Sequence, residues 1–244
     1  MLTTNTRHLD EAAQVLFMDV ARHRIEGIPH ILNIGAGAGV EASDMYKAAR
    51  SLQRKVEIHT VGLEPIAPRY LLLRSIEEII LDTWSDANRR KQITDDALGA
   101  GGFTIESMRK LQQLGIETTE VLSSSERFVQ RQYIGDFLTL PIPGNYDFVY
   151  EFLGAIQKSP NKEAALEKAL RLLSNEGVAF IHAISLDEMK SYLKTNDVLN
   201  DYIFVTSHVD AIHSTNISTF IVTHKDSNYA KKVLGHPEDA EDVV

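Results

Sequence analysis

The chain contains no cysteine, no long run of basic residues and no long apolar stretch. Without cysteine there are no disulfides, no thiolate metal sites and no cysteine nucleophiles, which fits a reducing compartment. Lys and Arg number 25 against 34 Asp and Glu, a net charge of −9. Polyanion binders carry a basic patch, so nucleic acid is not an expected partner. No apolar segment approaches the roughly 20 residues that span a bilayer. The opening MLTTNTRHLDEAAQ lacks the basic start and apolar core of a secretory signal. The expectation is a cytoplasmic protein with no membrane partner. What is present is a hydrophobic content of 43% in 244 residues, enough for a sizeable core in a single domain over 1–244.

Apolar spacing predicts a helix over 9–26, with Leu9, Ala13, Leu16 and Val20 on one face, ended at Gly27-Ile28-Pro29. His30 to Ile34 is a short apolar run that predicts a buried strand, followed by Gly35-Ala36-Gly37-Ala38-Gly39 and a helix over 40–52. Val56 to Leu63 predicts a second strand, stopped at Glu64-Pro65. The stretch 66–130 is far longer than a βαβ crossover needs and reads as a helical insertion, with helices over 69–84 and 104–114. Further strands are predicted at 131–135, 147–152 and 178–183. A helix over 161–173 closes at Ser174-Asn175-Glu176-Gly177, with Gly177 as its left-handed cap. After a helix over 186–193, the runs 202–209 and 218–223 lie only a loop apart, which suits an antiparallel pair. The polar, acidic tail 236–244 is expected to be disordered. The fold class is α/β: a doubly wound, mainly parallel seven-stranded sheet with an antiparallel last strand, helices on both faces and a helical insertion after the second strand.

In such sheets a ligand sits outside the carboxyl ends of the strands, so the residues after each strand matter most. A glycine turn between strand and helix allows positive φ and lets backbone approach a ligand closely, while the helix start favours an anionic group. Glu64 ends the second strand 25 residues after Gly39. A carboxylate there can accept from both ribose hydroxyls of an adenosine.

At this point the sequence resembles the class I S-adenosylmethionine-dependent methyltransferases. The match runs through ILNIGAGAG (31–39), VGLEP (61–65), IGDF (134–137), YDFVYEF (146–152) and LLSNEGVAFIH (172–182), in that order. The resemblance implies that S-adenosylmethionine is the cofactor and S-adenosylhomocysteine the product. Gly35, Ala36 and Gly37 would line its methionine part, Glu64 would bind the ribose, and Pro65 and Ile66 would pack near the adenine. Asp136 would accept from the adenine amino group, with the main chain of Phe137 beside it. Glu151 would face the cofactor's amino group. The sequence departs from the pattern at Asn33, where the family has an acidic residue, and no acceptor-specific motif follows the fourth strand.

The implied function is methyl transfer to an unidentified acceptor, expected to be a small molecule; no catalytic residue is assigned. Two alternatives stay open. One is a methyltransferase-like module that binds without catalysis. The other is a nicotinamide-dependent oxidoreductase, because Gly37 to Ala42 also satisfies G-x-G-x-x-A. His208, His213 and His224 lack ligand-type spacing, so no metal is expected. The insertion reads as a lid over the cofactor or as the interface of a homodimer, with glycine hinges at Gly99, Gly101 and Gly102.

Overall fold

The computed structural model describes residues 8–23, 27–83, 105–113, 115, 128–207 and 217–233. Helix α1 (Glu11–His23) starts where the Asp10 carboxylate accepts from the N–H groups of Ala12 and Ala13, at 2.9 and 3.3 Å. Its buried stripe is Ala13, Leu16, Phe17, Val20 and Ala21. There follow β1 (His30–Ile34), α2 (Val40–Ser51), β2 (Glu57–Gly62), α3 (Pro68–Thr83), α4 (Ile105–Gln113), β3 (Arg131–Ile134) and β4 (Tyr146–Phe152). The chain continues through α5 (Ala155–Lys158), α6 (Lys162–Arg171), β5 (Leu173–Ile184) and α7 (Leu186–Thr195). It closes with a 3-10 turn (Asp197–Asp201), β6 (Tyr202–Ser207), β7 (Ser218–His224) and α8 (Asn228–Val233). Asn161 caps α6 by accepting from Ala164 N–H at 3.0 Å, and Ser185 with Glu188 forms a reciprocal capping box on α7.

The strands form one sheet in the order β3-β2-β1-β4-β5-β7-β6. β1 to β5 run parallel, whereas β7 lies antiparallel to both β5 and β6. The direction of winding reverses between β1 and β4, which makes their carboxyl ends the switch point. Every residue of β4 is buried, because apolar layers cover both of its faces. On one side Phe148, Tyr150 and Phe152 join α1 and α2 around Phe17 and Met45. On the other, Val149 joins Ile156, Leu166 and Leu170 of α5 and α6.

The region after α6 differs from the sequence reading. The helix stops at Arg171, and Leu173 to Gly177 already belong to β5. Gly177 is no left-handed cap; it is placed where a Cβ would stand 2.6 Å from the carbonyl oxygen of Tyr146. Tyr146 N–H also donates to Leu172 O at 2.9 Å, so the chain is drawn into the sheet directly from the helix. The glycine serves close strand approach rather than positive φ. The stretches 84–104, 116–127 and 236–244 lie outside the described residues, and with them the expected lid or dimer interface and the acidic tail. His208 and His213 also lie outside them, while the His224 ring tilts against that of Tyr202 with centroids 4.4 Å apart. No helix among the described residues is long and apolar enough to cross a membrane.

Candidate active site

The glycine turn leaves β1 at the switch point. Gly35, Gly37 and Gly39 have φ of 76, 51 and 73°, the left-handed region where side chains are strained. The N–H groups of Gly35 and Ala36 both donate to Val61 O, at 2.8 and 3.2 Å, which pulls the turn over the end of β2. Gly39 N–H returns to Ala36 O at 2.8 Å, and α2 begins with no side-chain cap.

Two of these glycines are required by the protein's own packing. A Cβ on Gly35 would meet the Cα of Gly154 at 2.6 Å. A Cβ on Gly39 would touch the side chain of Ile66 at 3.0 Å. Thus the turn after β1 is wedged against the turn after β4 on one side and the turn after β2 on the other.

A cavity of about 530 Å³ opens across the carboxyl ends of β1 to β4. Gly35, Gly37, Glu64, Pro65, Asp136 and Phe137 line it, so six of the nine residues singled out from sequence converge there. Glu64 is exposed at the end of β2, while the neighbouring Ile66 is buried beneath Gly39. Ile66 N–H donates to the Gln132 side chain at 2.9 Å, which fixes the β2 turn to β3. Asp136 is exposed; its Oδ1 accepts from Leu138 N–H at 3.0 Å, which bends the chain into the turn 136–140. Phe137 is buried under that turn.

Ala36 and Glu151 are not part of the lining. Ala36 is buried below the glycine turn. Glu151 is completely buried: its Oε1 accepts from Gly154 N–H at 2.7 Å and Ile156 N–H at 3.3 Å, and its Oε2 has no hydrogen-bond partner among the described residues. Burial pushes its carboxyl up to about 8, against the opposing pull of the backbone N–H groups of 154–157. Its side chain holds the turn Leu153-Gly154 from below instead of reaching into the cavity. Leu153 is one of the few residues other than glycine with positive φ, at 52°. On β1, Asn33 is buried as well, and its Nδ2 finds no acceptor among the described residues.

Other lining residues carried no sequence signal. Tyr70 comes from the start of α3, and Leu153, Gly154, Ala155, Lys158, Ser159 and Pro160 come from the turn after β4 and from α5. Lys168, outside the cavity, holds the far wall. Its ammonium donates to the carbonyls of Phe137, Leu138 and Leu140 at 2.5, 3.1 and 2.6 Å and sits 5.2 Å from the Phe137 ring centre. Desolvation lowers its pKa, and the charge of Asp136 opposes that shift. Bonds from a charged donor contribute more than neutral ones, so Lys168→Met is expected to cost about 2 kcal/mol. A thermal scan should show the melting point falling by about 4–8 °C. An unchanged melting point would mean that the turn 136–140 stands without this staple.

The dinucleotide-binding order ends in a parallel sixth strand; here the strand beside β5 is β7, and it runs antiparallel. The strand order, with its antiparallel last pair, is that of a methyltransferase-like α/β fold. No protein-family profile and no curated protein sequence matches the chain. Among solved structures it is similar to a putative S-adenosyl-L-methionine-dependent methyltransferase of Methanococcus maripaludis. That match has 11% identity and a TM-score of 0.45, and covers 88% of this chain and 85% of the other. It is also similar to a precorrin-6y C5,15-methyltransferase of Geobacter metallireducens, at 13% identity over 91% of both chains with a TM-score of 0.43. A third match is the [4+2]-cyclase SpnF, at 12% identity, 83% of this chain and 61% of that one, TM-score 0.41. What assigns the methyltransferase fold is the strand order itself.

Proposed function

We propose that this protein transfers a methyl group from S-adenosylmethionine to a small-molecule acceptor in the cavity over β1 to β4. The observation that carries the reading is the placement of two exposed carboxylates, Glu64 and Asp136, on the rim of one cavity beside a left-handed glycine turn. On this reading Glu64 accepts from two ribose hydroxyls and Asp136 from an adenine amino group. Pro65, Phe137 and Leu138 supply apolar walls between them. About 530 Å³ lies within the usual range for a small-molecule site.

When bound, S-adenosylmethionine supplies a methyl group already activated on a sulfonium. The chain's own residues then have to align the acceptor with it and exclude water. Tyr70, Leu153 and Lys158 form the wall left over once the carboxylates are engaged, and this wall is where an acceptor fits. Methyl transfer leaves S-adenosylhomocysteine and the methylated acceptor, with loss of a proton where the acceptor arrives protonated.

Calorimetric titration tests the reading. Wild type is expected to bind S-adenosylhomocysteine and not NAD, and Glu64→Ala to lose about ten- to a hundredfold in affinity as charge-assisted hydrogen bonds go. Glu64→Gln should lose less, because it keeps an acceptor in place. Binding of NAD alone would move the protein to nicotinamide-dependent oxidoreduction. Binding of neither would leave a non-catalytic scaffold.

A further inference from the structure

Glu151 is a buried ionisable group that the proposed chemistry does not use. It sits in β4 between Ile34 of β1 and Ile181 of β5, in register with both. One carboxyl oxygen receives two backbone N–H groups of the β4–α5 turn; the other, Oε2, has no hydrogen-bond partner among the described residues. A Cβ on Gly154 would lie 2.8 Å from that second oxygen and 2.9 Å from the Cα of Gly35. Gly154 itself lines the cavity. The carboxyl is therefore separated from the ligand space by a single glycine backbone, at the point where the two turns touch.

The elements around it bring few titratable groups. These are Lys158 on α5, His30 on β1, Glu176 and His182 on β5, and, on α6, Lys162 and Lys168 together with Glu163, Glu167 and Arg171. None of them makes a hydrogen bond or ion pair with Glu151. Lys162 is tied to Glu188 and Lys168 to the carbonyls of the 136–140 turn, while His182 bonds Thr219 and stacks on Phe152. Burial, with no counter-charge in contact, keeps this carboxyl neutral near pH 7.

We propose that Glu151 is a positioning residue that exchanges its proton for positive charge in the cavity. It is neutral in the free protein and ionises when a cationic ligand lies across Gly154. The inference rests on the methyltransferase reading, since the cation in question is the sulfonium and amino end of S-adenosylmethionine. The ionised carboxylate strengthens its bonds to Gly154 and Ile156 N–H, so the turn after β4 tightens on Gly35 as the site fills. The low dielectric that makes the lone charge costly also makes its attraction to a nearby cation strong.

Calorimetry in two buffers of different ionisation enthalpy at pH 7 counts the protons released on binding. Wild type should release a substantial fraction of one proton with S-adenosylmethionine or sinefungin, which carry the extra positive centre, and less with S-adenosylhomocysteine. The amino groups of the ligands also exchange protons, each to its own extent, and that share is common to wild type and variant. Glu151→Gln preserves shape and the two accepted bonds, so the difference between wild type and this variant isolates the carboxyl. The variant should lose the proton release, and its dissociation constant should lose the steeper pH dependence of wild type between pH 6 and 8. Where Glu151→Gln fails to fold, the three ligands on wild type decide, once each proton count is corrected for the measured titration of that ligand's own amino group. Tight binding with equal proton counts for all three ligands would overturn the inference and leave the methyltransferase reading intact. Failure of all three to bind would overturn the methyltransferase reading, and this inference with it.

Discussion

Gly35→Ala is expected to abolish ligand binding and to lower the melting point by about 6–12 °C, corresponding to a loss of about 3 kcal/mol. Two separate penalties meet at this residue. A side chain at φ 76° is strained, which costs on the order of 1 kcal/mol. Collision costs more: the new Cβ lies 2.6 Å from the Cα of Gly154 and 3.1 Å from the N of Ala155. Both are backbone atoms, so no rotamer change relieves the contact. Gly154→Ala should do comparable damage, because its Cβ meets Gly35 Cα at 2.9 Å and Ile34 O at 3.0 Å. Gly27→Ala separates the two penalties. That glycine also has positive φ, at 80°, but nothing among the described residues stands within 4 Å of its Cβ position. Its alanine variant should therefore suffer only the backbone strain, about 1 kcal/mol. Equal losses at Gly27 and Gly35 in chemical denaturation would refute the close approach of the two turns.

The second large effect concerns stability against pH. In the folded protein the carboxyl of Glu151 is pushed up from 4.5 to about 8. Between these limits the folded state holds a proton that the unfolded chain has released. The contribution of this group to stability is full below pH 4.5 and is lost as pH rises to about 8. Within that window the slope reaches about 1.4 kcal/mol per pH unit. Glu151→Gln removes the titration, so urea midpoints for wild type should fall more steeply between pH 5 and 8 than those of the variant. Every other ionisable group is common to both proteins and cancels in the difference. Parallel curves would show that Glu151 is ionised throughout.

The extent to which sequence revealed this site follows from what each residue does. Glu64 was marked by the apolar run that it ends, whereas Asp136 was singled out only through the family resemblance; both line one cavity. The glycine turn was legible too, but for a reason that proved partial. Its glycines were read as room for a ligand, whereas Gly35 and Gly39 make room for Gly154 and Ile66. Glu151 was expected to face the cofactor's amino group, whereas its side chain lies buried beneath the turn after β4, in a strand, Tyr146 to Phe152, that is buried throughout. With both faces covered, a polar residue in that run has no alternation to say which way it points. Gly177 was mistaken for a cap because glycine after a helix serves either positive φ or close approach, and only the neighbouring strand tells them apart. Lys168 lay wholly out of reach of sequence reasoning. Its partners are main-chain carbonyls some 30 residues earlier, and a lysine on an amphipathic helix ordinarily faces water.

The Lys168 staple also sets an order of events at the ribosome. The wall around Asp136 and Phe137 is built from residues that emerge early, yet the cation that fixes their carbonyls arrives only with α6. The wedge on Gly35 likewise waits for Gly154. A nascent chain that has released β1, β2 and β3 thus carries the glycine turn and both rim carboxylates but no finished cavity. On this geometry the wall around Asp136 and Phe137 can be completed only once residue 168 has left the ribosome.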